Sequence, residues 1–269
     1  MSWSGKIIGG AIGLMGGPVG AFVGAVIGHQ FDKNVDRQRL HGTVNRSQAQ
    51  QSFFEATFLM MGHLAKADGQ VSKQEIKLAQ SVMERMQLSD TLRQSAMNLF
   101  RQGKSADFEF EPILDDLYNN CAGDAHMMRL FLEFQLQVAL SDGKVHPTEE
   151  AILRRICECL SISSLQYGAL KMAVEAYTRM GADQYQYRHS TRSRRTTTVS
   201  LRDAYAVLGE SKTASDKAIE KAYRRGISQN HPDKLAAKGL PDEMIKISTE
   251  KTRKIREAYE IICKARNSK

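Results

Sequence analysis

The sequence predicts an all-α protein, and three observations carry that prediction. Apolar residues recur at three- and four-residue spacing through residues 49–176, no alternating strand pattern interrupts them, and the last seventy residues carry helix caps and stops in the right order. The elements fall into an N-terminal single transmembrane helix (1–30), a helical bundle (49–176), a flexible basic linker (181–200) and a C-terminal module built on an antiparallel helix pair (201–269).

Composition bounds what such a chain can be. At 269 residues and 30.1 kDa there is room for one large or two small domains. Hydrophobic residues at 42% and charged residues at 25% exclude wholesale disorder, a collagen-like fibre and a polytopic membrane protein. The four cysteines, Cys121, Cys157, Cys159 and Cys263, contain no C-x-x-C pair, which fits a reducing compartment better than a disulfide framework or a zinc ribbon. The net charge of +8 is unevenly spread: +3 over 1–48, −5 over 49–176, +4 over 177–200 and +6 over 201–269. An acidic middle is flanked by basic ends, and these suit a nucleic acid, an anionic membrane or an acidic protein partner.

From Ile7 to Ile27 there are 21 residues without a charge, about 30 Å of helix and so one membrane crossing. Seven of them are glycine and Pro18 is central. Gly16, Gly20, Gly24 and Gly28 recur at i+4, the small-residue groove that lets two membrane helices approach closely and form a homodimer. A signal peptide or a glycine-rich loop is the competing reading. Signal peptides carry a stronger basic start than the single Lys6. Lys33, Arg37, Arg39 and Arg46 follow the segment, so the positive-inside rule leaves the short N-terminus outside and places the C-terminal body in the cytoplasm.

In the middle region Phe54, Phe58, Met61 and Leu64 share one helical face, as do Ile76, Ala79, Val82, Met83 and Met86. A weak repeat at an offset of 74 aligns Ala67-Asp68-Gly69-Gln70-Val71 with Ser141-Asp142-Gly143-Lys144-Val145, and Glu75 with Glu149. Glycine in a left-handed turn, a Ser72-x-x-Glu75 capping box and Pro147 in a first helical turn account for the repeat as helix-turn-helix. Asp68, Glu75, Asp142 and Glu149 are the only metal-ligand candidates, and they lack the ligand run of an EF-hand. Cys157, Cys159, Met60-Met61 and Met127-Met128 read as core. The duplicated halves resemble the TerB-like helical domain, a family with acidic residues suspected of binding metal.

Residues 181–200 lose hydrophobic periodicity, and Arg188, Arg192, Arg194 and Arg195 lie among Ser and Thr, as in a tether. After it, a helix from Leu201 to Leu208 stops at Gly209; Ser215 caps a second helix that runs to about Asn230; Pro232 ends it; a third spans about Asp242 to Ala265. Ile219, Ala222 and Tyr223 face Ile255, Ala258, Tyr259 and Ile262, which leaves Lys217, Lys221, Arg224, Arg225 and Ser228 on an outer basic face. His231-Pro232-Asp233-Lys234 sits at the tip of the pair. No nucleophile or third ligand accompanies it, which points to a presented recognition loop rather than an enzyme.

Asp203-Ala204-Tyr205-Ala206-Val207-Leu208-Gly209, Lys221-Ala222-Tyr223-Arg224-Arg225, His231-Pro232-Asp233-Lys234 and Arg256-Glu257-Ala258-Tyr259-Glu260 resemble a J domain in order and spacing. The resemblance implies a non-enzymatic module, without a cofactor, that stimulates ATP hydrolysis by a DnaK-type chaperone. It implies that His231, Pro232, Asp233 and Lys234, with Lys221, Tyr223, Arg224 and Arg225, form the DnaK-binding surface. The whole chain is similar to the membrane-anchored J-domain co-chaperones of Gram-negative bacteria, which implies a single-pass protein of the bacterial inner membrane with a periplasmic N-terminus. Three residues depart from the J-domain pattern: Glu220 where a basic residue is usual, Gly226 where an apolar one is, and Thr252 in place of Phe. The alternatives are a membrane-bound scaffold or a metal or stress sensor acting through the TerB-like region, and a basic nucleic-acid-binding membrane protein. No folded module beside the basic linker presents a stacking platform for bases, so no nucleic-acid partner is expected.

Overall fold

A computed structural model describes residues 46–67, 80, 82–140, 143–189 and 200–267. Among them the chain is helix and turn, with no strand. The 7–27 segment with Gly16, Gly20, Gly24 and Gly28 lies outside the described residues, as do Asp68, Glu75, Asp142 and residues 190–199 of the expected linker. No helix among the described residues is long and apolar enough to cross a membrane. The chain divides into two compact units, described in turn.

Unit 1 holds the described residues up to Ile162 together with Leu235–Lys246. Its helices are α1 (Arg46–Ala65), α2 (Asp90–Gly103), α3 (Glu111–Asn120), α4 (Ala125–Ala139) and α5 (Pro147–Cys159). Helix α1 is the hub, with α2, α3 and α4 around it and α5 resting on α3 and α4. It is rich in good helix formers, and Phe53, Phe54, Phe58, Met60 and Met61 are 0% exposed. Phe53 meets Phe131 and Phe134 edge-on, with ring centroids 6.0 and 6.2 Å apart. At the crossing with α2, a Cβ on Gly62 would lie 2.0 Å from the Phe100 carbonyl oxygen, and one on Gly103 would lie 1.9 Å from that of Leu59. Both positions therefore need glycine.

A helix enclosed on all sides must find partners for its polar groups. The Thr57 hydroxyl donates to the Phe53 carbonyl (2.6 Å), Asn120 Nδ2 donates to Ser52 Oγ (2.7 Å), and Gln135 Nε2 donates to the Thr57 carbonyl (3.3 Å). Glu55, 6% exposed, accepts from Gln51 Nε2 at 3.0 Å. Burial raises its carboxyl from 4.5 to about 7; the Gln51 bond opposes this and Asp116 adds to it.

Turn chemistry follows the sequence where it is described. Gly143 has φ +93, Pro147 opens α5, and Glu149 Oε2 accepts the His146 N–H at 2.8 Å. Glu149, the one described metal candidate, is thus engaged in a helix cap. Cys121 and Cys157 are core thiols that burial pushes up to about 12. Asp124 caps α4 by accepting the N–H groups of His126 and Met127, each at 3.0 Å, and receives Lys238 Nζ at 2.8 Å. Burial pushes its carboxyl up, but Lys238 and the two N–H groups outweigh this and hold it below the usual range. Residues 235–246, which the sequence places in the C-terminal module (201–269), group here. Besides Lys238, they offer the Leu240 carbonyl to Gln50 and bury Leu240 and Met244 at 0% exposure.

Unit 2 holds Ser163–Lys234 and the described residues from Ile247 onward. It contains α6 (Ser164–His189), α7 (Leu201–Leu208), α8 (Asp216–Gln229), the first turn of α9 (Pro232–Ala237) and most of α10 (Asp242–Asn267). Gly209 ends α7 in a left-handed conformation, φ +68, and Ser215 Oγ caps α8 by accepting the Ala218 N–H at 3.2 Å. Ile219, Ala222, Ile255, Ala258 and Ile262 form the core, as their spacing predicts.

Helix α6 departs from the expected boundaries. It runs to His189, well into the stretch expected to be a tether. Its Ala176 and Met180 join the core of Ala204, Tyr205, Val207 and Leu208. Arg179 donates through Nε and Nη2 to Asp203 Oδ1 at 3.0 and 2.6 Å, and Lys254 Nζ donates to the Tyr177 carbonyl at 2.8 Å. Extending a helix already anchored in this way adds a hydrogen bond per residue without a new nucleation step, and no proline stops it.

Arg266, near the end of α10, closes the unit. Its guanidinium donates to Tyr205 Oη (2.9 Å), Asp216 Oδ1 (2.5 Å), the Lys212 carbonyl (3.2 Å) and the Ala214 carbonyl (2.8 Å). One side chain thereby ties α7, the α7–α8 connection and the start of α8 to α10.

Two predictions follow from these contacts. Because the folded Glu55 binds its proton more tightly than the unfolded chain does, unit 1 loses stability as pH rises from 4.5 through about 7. Glu55→Gln therefore stabilises it by up to about 3 kcal/mol at pH 8 and changes little at pH 4, read by chemical denaturation followed by circular dichroism. Arg266→Gln lowers the melting temperature of unit 2 and leaves that of unit 1 in place, read from a two-transition melt; a variant that melts like the parent contradicts the tie.

Candidate functional site

Helix α8 separates its faces by spacing alone. Ile219 and Ala222 are 2% and 4% exposed, whereas Lys217, Lys221, Arg224 and Arg225 are exposed to solvent. These four cations and Glu220 line an open groove of ≈ 430 Å³. Glu220 interrupts the basic stripe: its Oε1 receives Arg224 Nη2 at 2.5 Å, an i,i+4 pair with the acid on the N-terminal side, the favourable direction. Tyr223 is half-buried and stacks on Tyr259, ring centroids 4.3 Å apart and planes 14° from parallel. It holds α8 to α10 more than it faces outward.

The end of α8 is pinned tightly. Asn230 is 3% exposed; its backbone N–H and its Nδ2 both donate to the Gly226 carbonyl, at 3.2 and 2.7 Å. Thr252 Oγ1 bonds the carbonyls of Ser248 (3.1 Å) and Asn230 (3.4 Å), so a residue that departs from the J-domain pattern serves as a cross-link between α10 and the α8 terminus. Gly226 faces Ile255, whose Cδ1 would lie 3.2 Å from an added Cβ. The space of the usual apolar side chain is occupied from the other helix.

The chain then turns. Helix α8 ends at Gln229, just before Pro232, as the sequence predicts, but the tip is not a loop: Pro232 opens α9, where its fixed φ suits a first turn and its missing N–H costs nothing. Asp233 N–H donates to His231 Nδ1 at 3.3 Å. The Asp233 carboxylate stands 3.7 Å from the same Nδ1. The His231 and Asp233 side chains are 52% and 91% exposed. Lys234 Nζ hydrogen-bonds Ser228 Oγ, which fixes it beside α8.

The structure therefore brings together every residue expected at the tip and on the basic helix: His231, Pro232, Asp233 and Lys234 follow directly on Lys221, Tyr223, Arg224 and Arg225. The arrangement is a cationic groove beside a braced, exposed imidazole and carboxylate, chemistry suited to recognising an acidic surface. Sequence reasoning missed three features: the Glu220–Arg224 pair, the stacked tyrosines and the Lys234–Ser228 bond. The i,i+4 spacing of Glu220 and Arg224 was the available signal for the first.

Family models match three stretches of the chain: the Co-chaperone DjlA transmembrane domain over residues 1–48, the Tellurite resistance protein TerB over 54–172 and the DnaJ domain over 203–269. Among curated relatives, the co-chaperone protein DjlA of Coxiella burnetii is 40% identical over 274 residues, covering 99% of each chain. The proteins of the same name from Photobacterium profundum and Haemophilus influenzae are 39% and 35% identical, covering 98% and 100% of this chain and 99% and 100% of their own. No solved structure matches. With these matches running the length of the sequence, and the J-domain signature braced at the tip of α8, the chain belongs to the DjlA co-chaperone family.

Proposed function

We propose that this protein is a membrane-anchored J-domain co-chaperone that stimulates the ATPase of a DnaK-type chaperone at the cytoplasmic face of the bacterial inner membrane. The observation that carries the proposal is the exposed His231-Pro232-Asp233 turn, braced by its own backbone and by Lys234–Ser228, directly after the cationic face of α8. Lys221, Arg224, Arg225 and Lys234 supply the charge that steers and orients an acidic partner, and His231 and Asp233 supply directional donors and acceptors. Tyr223 contributes by holding α8 in place. The chemistry belongs to the chaperone, whose conformational equilibrium this chain biases by binding one state better than another.

The family match over 1–48 supports reading the uncharged 7–27 stretch as the anchor. The cations after it support a cytoplasmic body. Gly16, Gly20, Gly24 and Gly28 form the proposed homodimer seam, which brings two J domains to one patch of membrane and raises their local concentration.

Two experiments test these readings on the full chain in lipid nanodiscs. In single-turnover assays with DnaK and ATP, the wild type accelerates hydrolysis and His231→Gln does not, while both give the same helical circular dichroism; equal stimulation by the two refutes the role of the turn. Gly20→Leu with Gly24→Leu fills the seam, and cross-linking of the paired chains falls by about tenfold; undiminished cross-linking refutes the glycine dimer but not the anchor.

A further inference from the structure

The basic groove of α8 carries one carboxylate, and its position is informative. Glu220 sits between Lys217 and Arg224 on the same helical stripe and lines the groove with Lys217, Lys221, Arg224 and Arg225. Its Oε1 holds Arg224 Nη2 at 2.5 Å, and the two side chains are 47% and 75% exposed. Glu220 is half-buried and, among the described residues, no hydrogen bond to a helix end engages it; its ion-pair partner is Arg224. The pair stabilises an isolated helix only marginally, and α8 is already anchored through Ile219, Ala222 and the Tyr223–Tyr259 stack.

We propose that Glu220 is a built-in competitor that sets the affinity of the basic face for the acidic surface of its chaperone partner. This inference rests on the co-chaperone reading above. A partner carboxylate that approaches the groove must either take Arg224 away from Glu220 or bind with Glu220 still in place. In the first case the Glu220–Arg224 pair is lost. In the second, two carboxylates share the neighbourhood of one guanidinium and repel. Either route weakens association, and neither changes the turn at His231 and Asp233. Glu220 therefore acts on binding strength and not on the ability of the bound module to trigger hydrolysis. A module tuned in this way releases its partner quickly, which suits a co-chaperone that acts repeatedly on a pool of chaperone molecules.

The test uses the full chain in nanodiscs with purified DnaK. Glu220→Gln keeps the shape and removes the charge. It should lower the half-saturating concentration for ATPase stimulation about three- to tenfold while leaving the maximal rate unchanged, an effect expected for one charge contact at about 6 Å in a solvated groove. The gain should shrink as salt is raised from 0.05 to about 1 M, because exposed charges are screened. Removing Arg224 with Arg224→Gln should weaken binding more in the Glu220→Gln background than in the wild type, since only there is the guanidinium fully available. This coupling is a readout that a purely structural role would not move. An unchanged half-saturating concentration in Glu220→Gln, or equal Arg224→Gln losses in both backgrounds, overturns the competitor role while wild-type stimulation keeps the co-chaperone reading. A wild type that gives no stimulation at any concentration overturns both.

Discussion

The close crossing of α1 and α2 at Gly62 and Gly103 sets the geometry on which unit 1 depends. Each glycine lies against the other helix's backbone, at Phe100 and Leu59, so the two axes approach more closely than any pair of side chains permits. Together with α3 and α4, α2 leaves α1 buried along nearly all of its length. A helix without a solvent face can carry polar groups only where neighbours meet them, and this explains why Ser52, Thr57 and Glu55 are each bonded by specific partners on α3, α4 or α1 itself. It also explains why a carboxyl at position 55 is held largely neutral at pH values where an exposed glutamate is ionised. Adding even one methyl group at either glycine displaces backbone rather than the end of a flexible side chain, which a close-packed interior cannot absorb cheaply.

Much of this architecture was legible in the residues. Spacing alone marked Phe54, Phe58, Met61 and Leu64, and Val82, Met83 and Met86, and all of them are buried. Local stop and cap chemistry at Gly209, Ser215 and Pro147 fell within a residue of the helix ends. What was not legible depends on contacts between distant segments. Nothing local marks Gly62 and Gly103, since glycine only weakens an isolated helix and a close crossing is a property of the pair. The end of helix α6 looked like the start of a tether because residues 181–189 have no apolar period; its persistence comes from Met180 and Ala176 gripping a core built mostly by residues after Leu201. Nothing in its sequence neighbours sets Arg266 apart from the other cations of the C-terminal module. Its role appears only once three carbonyl or hydroxyl oxygens and the Asp216 carboxylate converge on it.

The tip of α8 divides its polar residues into two groups. Asn230, Thr252, Ser228 and Lys234 are hydrogen-bonded within the unit and make the end of the helix rigid. His231 and Asp233 are linked to each other through one backbone N–H but expose most of their hydrogen-bonding capacity, and Lys217, Lys221 and Arg225 stand in solvent. A stable fold gains little from three exposed like charges on one helical face, which repel one another over a few ångströms. Their placement makes sense if the free energy they contribute is realised in a complex, where an acidic surface neutralises them together. Rigidity at the tip then reduces the ordering entropy that such a complex must overcome.

The three departures from the J-domain pattern are not equivalent once their surroundings are known. Gly226 is matched by Ile255, which occupies the adjoining space, and Thr252 is matched by the carbonyls of Ser248 and Asn230. Both are absorbed by neighbours within unit 2, at the inner side of α8. Glu220 is different, because its partner Arg224 belongs to the exposed groove itself. Changes that are matched inside the fold alter how the module is built. A change matched only by a residue of the exposed groove alters the charge that the groove offers, so of the three departures it is Glu220 that changes the outer face of α8.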